Sequence, residues 1–356
     1  MPLAELLHRD RNNLDLFRLI AACMVIMAHA YPLSGLPQGD WVLKLLGHDN
    51  AGSLAVKLFF FLSGLVVTAS LLNKADPIRF ILARFFRIWP AMLLAVSACA
   101  LLIGPLISSL SPVDYFASPL TYRYLLDNLL LNTHFTLPGV FEQNPYTGVV
   151  NGSLWTIPYE VAAYAILLGL FAAGLFRLKG APLLAFLLIL IDPLLEEPLL
   201  FSWLPDNHHV TMLAPCFAFG SLLAYYRDRL TMNMPLILGA WLLYALCRNT
   251  PVNFYFFYFA LFLSVIFVSA LPAVLKARPP VDISFGVYLW AFPIQQLLAL
   301  YFSDYGLAFN QFCTLLICIP LGLLSWTLVE KPGIALGARF AARLPDLQRS
   351  AGTSIH

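Results

Sequence analysis

"FRLIAACMVIMAHAYP", residues 17–32, admits two readings with opposite consequences for the fold. A basic start, an apolar run and the triplet Ala28-His29-Ala30 match a secretory signal with an A-x-A cleavage site. A retained membrane helix would instead hold Arg18 and His29 at positions where hydrocarbon tolerates ionisable groups only for a reason. The remainder of the chain decides between them.

Of 356 residues, 60% are hydrophobic and 11% charged, against roughly 25% charged in soluble domains. The composition is that of an integral membrane protein. A net charge of +2 is too small to argue for a nucleic-acid partner. Apolar runs between polar or Pro-rich breaks give ten candidate spans, near 14–34, 53–72, 81–107, 153–175, 181–199, 210–226, 234–248, 252–272, 284–302 and 310–330. The run at 181–199 is the weakest, because Asp192 and Pro193 interrupt it.

Cytoplasmic loops of membrane proteins are enriched in Lys and Arg. Sixteen such residues fall on one alternating set of connections: the segment before span 1, the links 2–3, 4–5, 6–7 and 8–9, and the segment after span 10. Only Lys44, Lys57, Arg123 and Arg248 fall on the other set. Adding or losing a span in mid-chain would scramble this segregation. The expected fold is therefore all-α, a polytopic membrane bundle of about ten transmembrane helices with both termini cytoplasmic. Residues 1–332 form the transmembrane domain and 333–356 a basic cytoplasmic tail. Span 1 is needed to start the count, which favours the retained helix.

The six cysteines lie in or beside apolar runs without a C-x-x-C pair and read as small buried hydrophobes. His208-His209, in a polar loop beside Asp206, lacks the spaced thiolate or carboxylate partners of a metal site, so no metal is expected.

Three groups carry chemistry. Arg18 and His29 are eleven residues apart, so they project within about 20° of one another on a helix and lie about 16 Å apart along it. The plain alternative is a snorkelling arginine and a hydrogen-bonded core histidine. "NGSLWTIPYE", residues 151–160, carries Glu160 into span 4 from the outer side, to a depth like that of His29. A carboxylate beside an imidazole can fix its tautomer and stabilise its protonated form; the alternative is that Glu160 pairs with an unrelated polar group. In "RFILARFFRIWP", residues 79–90, Arg84 and Arg87 are one turn apart. They either anchor the span or, with Arg18, grip the phosphates of a soluble donor. Ser63-Gly64 suits close helix packing, because nothing in the sequence sets a base beside the serine.

The longest outer connection, 108–152, is rich in Pro and aromatic residues, and "YRYLLDNLLLNTHF" within it has the spacing of an interfacial helix. A loop of this length is usually functional.

With these residues in view, the chain resembles the acyltransferase 3 family of integral membrane acyltransferases. The resemblance rests on Asn13-Leu14-Asp15 leading to Arg18 and, eleven residues on, His29; on "FFFLSGL" at 59–65; on Arg84-x-x-Arg87-x-x-Pro90; on "SLWTIPYE" ending in Glu160; on "SFGVYLWAFP" from 284; and on Glu330-Lys331-Pro332. It implies a ten-helix, stand-alone form without an SGNH-type domain, in the bacterial inner membrane. It further implies transfer of an acetyl group from acetyl-CoA to a hydroxyl of a glycan or glycolipid acceptor of the cell envelope. His29 and Glu160 would be catalytic, Arg18, Arg84 and Arg87 would bind the donor, and Trp155 and Tyr159 the acceptor. One departure is that relatives have a histidine near the end of the stretch where this chain has Ala291, Pro293, Gln295 and Gln296. A competing class is a transporter or flippase of an envelope glycolipid, which would also use buried Arg, His and Glu.

Overall fold

The computed structural model describes residues 1–344 apart from Trp203 and Asp206. The expected tail beyond 344, with Arg349, and the carboxylate beside His208-His209 lie outside the described residues. Among the described residues the protein is all-α, with two isolated β-bridges and no sheet. Among the described residues, five stretches are long and apolar enough to cross a membrane: 14–33, 51–74, 77–107, 152–172 and 284–342. The last reverses within itself, since Ser303–Tyr305 and Gly306, at φ +75°, turn the chain between two packed helices. Four further apolar helices, at 181–194, 209–225, 234–246 and 253–269, are shorter. The protein is thus a polytopic membrane helical bundle.

The principal helices are α1 (Leu14–Leu33), α2 (Ala51–Lys74), α3 (Pro77–Ala98), α4 (Ile157–Ala172), α5 (Ala181–Ile191), α6 (Leu213–Tyr225), α7 (Met234–Leu246), α8 (Asn253–Ser269), α9 (Ser284–Phe302), α10 (Gly306–Ser325) and α11 (Lys331–Ala342). A π segment, Trp326–Glu330, joins α10 to α11. Part of the segment expected to be a tail is therefore helix. The chain divides into two compact units, the first comprising Met1–Val25, Trp41–Asn73 and Tyr159–Asp282, the second Ile26–Asp40, Lys74–Pro158 and from Ile283 onward.

In the first unit, Asn13 starts α1: its Oδ1 accepts from the Leu16 amide and its Nδ2 donates to Val274 O at 2.6 Å. α2 and α6 cross with backbones in contact. A Cβ on Gly64 would lie 2.0 Å from Phe217 O, so the small residue is a packing requirement. α5 stops at Ile191, because Asp192 turns its carboxylate back to accept from the amides of Leu199, Leu200 and Phe201 at 2.7–3.1 Å.

Lys57, which the sequence places among the outer basic residues, is fully buried and paired with the equally buried Asp49. It is no loop charge: membrane depth forces the cation onto a partner. Asp49 also accepts from Tyr258, and His209 Nδ1 lies 3.2 Å from its other oxygen. Burial raises the Asp49 pKa, but His209, Lys57 and Ser53 outweigh it and hold the carboxyl well below the usual range. Asp49→Asn leaves the Lys57 charge buried without a counter-ion and is expected to cost about 3–5 kcal/mol. A carboxyl lowered in the folded state contributes stability above its unfolded pKa, near 3.9, and loses it as pH falls through the folded value. In thermal unfolding, the gap between wild type and Asp49→Asn should therefore hold between about pH 5 and 8 and close only below about pH 4.

In the second unit, α3 begins on Asp76, whose Oδ1 accepts from the amides of Ile78 and Arg79, with Pro77 in the first turn. α11 lies against α3 so closely that a Cβ on Gly337 would strike the Phe86 ring at 2.7 Å. The 108–152 connection is ordered by specific bonds. Tyr115 donates to Ala100 O at 2.7 Å, and Trp89 Nε1 donates to Leu129 O at 3.1 Å, at the end of the helix Pro119–Leu129 inside the expected amphipathic stretch. Asn144 Nδ2 donates to Gln296 Oε1 at 2.6 Å, and Gln296 Nε2 donates on to Tyr146 O and Val149 O.

Candidate active site

α1 is one unbroken helix carrying both Arg18 and His29, with Pro32 in its last turn. Pro32 lacks an amide hydrogen, which leaves the Ala28 carbonyl without its helical donor. Two carbonyls close by accept side-chain donors: Ile26 O from Gln295 Nε2 at 2.8 Å and Met27 O from Gln311 Nε2 at 3.0 Å. The segment bearing His29 is thus held by amides from α9 and α10. Ala28 and Ala30 are buried, while His29 between them keeps some exposed surface. Phe292 packs edge-on against the imidazole at 5.3 Å between centroids. His29 Nδ1 is sealed from solvent and makes no hydrogen bond. What looks like a cleavage triplet is a histidine flanked by two small residues.

Three other expected site residues share this unit. Arg87 Nη1 donates to Glu330 Oε2 at 2.7 Å, and the guanidinium lies over the rings of Phe285 and Trp326. Glu330, fully buried at the end of the π segment, takes a second bond from Ser325 Oγ at 2.9 Å. The Glu330-Lys331-Pro332 and Arg-x-x-Arg-x-x-Pro motifs are therefore two halves of one contact. Arg84, one turn earlier, is half-buried. Trp155 sits half-buried in the 3-10 turn Gly152–Thr156, which Asn151 starts by accepting from the Ser153 amide and donating to Leu289 O.

Arg18, Glu160 and Tyr159 fall in the first unit. Arg18 lies 3.6 Å from Asp282 and 3.9 Å from Asp15. Glu160 accepts from Ser63 Oγ at 3.2 Å and from the Tyr164 hydroxyl. These are bonds to neighbouring polar groups of its own unit, and they set a carboxylate beside the serine that the sequence left without one. Tyr159 lines an apolar cavity with Phe60, Leu167, Phe186 and Phe217. Among the described residues no group of three His, Cys, Asp or Glu side chains could hold a metal, and none of the six cysteines forms a disulfide.

Gln295, Asn310 and Gln311 escaped the sequence reading as site residues. The signal was present in "WAFPIQQLLAL", where two amides interrupt an apolar run, because a polar group in a membrane helix needs a partner inside the protein.

In a comparison against known families, a model described as an acyltransferase domain matches residues 11–331. The chain belongs to the acyltransferase 3 family. It is also 28% identical over 347 residues to an O-acetyl transferase of Shigella phage Sf6, covering 90% of this chain and 95% of that protein. Nodulation protein 10 of Rhizobium leguminosarum bv. viciae is 31% identical over 166 residues, 44% of this chain and 43% of its own. No solved structure matches the chain. The protein is a multi-pass membrane acyltransferase, and the family implies an acyl-CoA-dependent mechanism.

Proposed function

We propose that this acyltransferase moves an acetyl group from cytoplasmic acetyl-CoA to a hydroxyl of a cell-envelope or exported glycan. The observation that carries this reading is the near full-length match to an O-acetyl transferase. In the proposed reaction the His29 imidazole takes the proton of the acceptor hydroxyl. The resulting alkoxide attacks the thioester carbonyl, and the tetrahedral intermediate collapses to the ester. The departing CoA thiolate recovers the proton from the imidazolium. Transient acetylation of His29 is the second route. The edge-on Phe292 and the small flanking residues support an approachable imidazole in apolar surroundings.

Donor phosphates are assigned to Arg84, a half-buried cation on α3. Arg87 steadies that helix through Glu330; Arg18 joins the donor-binding set, and Glu160 the catalytic one, on the strength of the resemblance. Trp155 presents an aromatic face for the acceptor. The reading extends to ten spans with both termini cytoplasmic, in a bacterial inner membrane, which gives the donor access from the side of the arginines.

Arg84→Ala is expected to raise the KM for acetyl-CoA about 10- to 100-fold, the equivalent of one charge-assisted hydrogen bond, with the acceptor KM unchanged. Equal donor KM values would return Arg84 to a topological anchor. The function itself is tested by mass spectrometry of envelope glycans from cells with and without the gene. Loss of acetyl esters is expected; unchanged acetylation with altered glycan export would favour a transporter.

A further inference from the structure

Gln295 is fully buried in the middle of α9. Its amide has no freedom of orientation: Nε2 donates to Ile26 O at 2.8 Å and to Asn310 Oδ1 at 3.2 Å, while Asn310 Nδ2 returns a bond to Gln295 O at 3.0 Å. Two acceptors thus take both amide protons, and Oε1 is left as an acceptor with no donor. Such a buried orphan oxygen costs about 1–3 kcal/mol unless something donates to it.

The second orphan on this seam is His29 Nδ1. Ile26, to which Gln295 is bonded, lies one turn before His29 on α1. Phe292, which touches the imidazole, lies one turn before Gln295 on α9. The two unsatisfied atoms therefore belong to residues of one α1–α9 seam, tied together by the Gln295–Ile26 bond on one side and the Phe292–His29 contact on the other. They are complementary. Oε1 can only accept, and Nδ1 donates whenever it carries the proton. Ser153 Oγ is a third buried, unpartnered atom in this unit, but a hydroxyl rotates between donating and accepting and does not demand the imidazole proton.

We infer that Gln295 is the positioning residue of the site. Its Oε1 accepts the Nδ1 proton of His29 through one bridging water, and so fixes the tautomer in which Nε2 is the unprotonated nitrogen that meets the acceptor hydroxyl. This rests on the reading of His29 as the base. A neutral amide does here what a carboxylate does for the imidazole of a serine-hydrolase triad, holding the ring and its tautomer. The same side chain also fixes the α1 backbone at Ile26, so one residue sets both ring orientation and helix position.

The test is ¹⁵N NMR of histidine-labelled protein in detergent, with the His29 signals assigned by their loss in His29→Ala. Wild type is expected to show a protonated Nδ1 and an unprotonated Nε2 at neutral pH. Gln295→Met should mix the tautomers and lower kcat at least 10-fold with the acetyl-CoA KM unchanged. Gln295→Glu, which keeps an oxygen acceptor, should restore the Nδ1–H form, and Ser153→Ala should leave it unaltered. A wild-type Nε2–H tautomer overturns the inference whether or not any variant folds. So does an unchanged tautomer in folded Gln295→Met, or a tautomer shift in Ser153→Ala instead. Wild-type turnover in His29→Ala would be a different failure, that of the base itself.

Discussion

Glu330→Ala is expected to leave little folded protein in the membrane. The carboxylate is fully buried, holds the Arg87 guanidinium at 2.7 Å and accepts from Ser325 at 2.9 Å. Removing one member of such a pair strands the other and costs about 3–5 kcal/mol, a large part of the roughly 5–15 kcal/mol that holds a typical domain together. Arg87→Ala should be as damaging, because it leaves the carboxylate without its cation. The revealing variant is the double replacement Arg87→Met with Glu330→Met, in which neither charge remains to be desolvated; it should recover most of the lost stability. Fluorescence-detected size exclusion in detergent, with thermal midpoints, measures all three. If Arg87→Ala folds with the wild-type midpoint and loses only donor affinity, Arg87 is a phosphate ligand and not a brace.

His29→Ala should behave in the opposite way, with normal folding and a turnover lowered about 10²- to 10⁴-fold, the usual worth of a positioned general base. The ring contact described for the imidazole is with Phe292, and its loss removes no more than the water-bridged bond inferred to the neutral amide oxygen of Gln295. Substrate affinities should move little, since the base acts on the transferring proton rather than on donor phosphates. A variant whose kcat is intact but whose KM values rise would make His29 a binding residue.

Much of the bundle was legible because apolar runs of membrane length leave few alternatives, and each run marked in the sequence corresponds to a helix among the described residues. The weak run at 181–199 ends where its Asp192 stood, for the reason a carboxylate in an apolar stretch suggests: it binds backbone amides of the following loop. Less legible was anything that depends on which helices meet. Lys57 read as an outer-loop cation because hydropathy does not register that Asp49, eight residues away, is buried with it. The partner of Arg87 is 243 residues distant, and no spacing rule reaches that far. Helix rise places Glu160 and His29 at similar depths, and no spacing rule reaches the bonds that Glu160 accepts from Ser63, 97 residues away, and Tyr164. Gln295 was noticed only for the histidine it is not. Its contribution, an amide with both protons committed, is visible only once α1 and α10 are placed around it.

The central claim is acetyl transfer to a glycan by a base at position 29. Purified wild-type and His29→Ala proteins in proteoliposomes, matched for folded content, would be given labelled acetyl-CoA outside and envelope glycan extract. Ester-linked label should accumulate in glycan with the wild type and fall at least 100-fold with His29→Ala. Equal label with both proteins, or none with either while a glycolipid crosses the bilayer, would contradict the account.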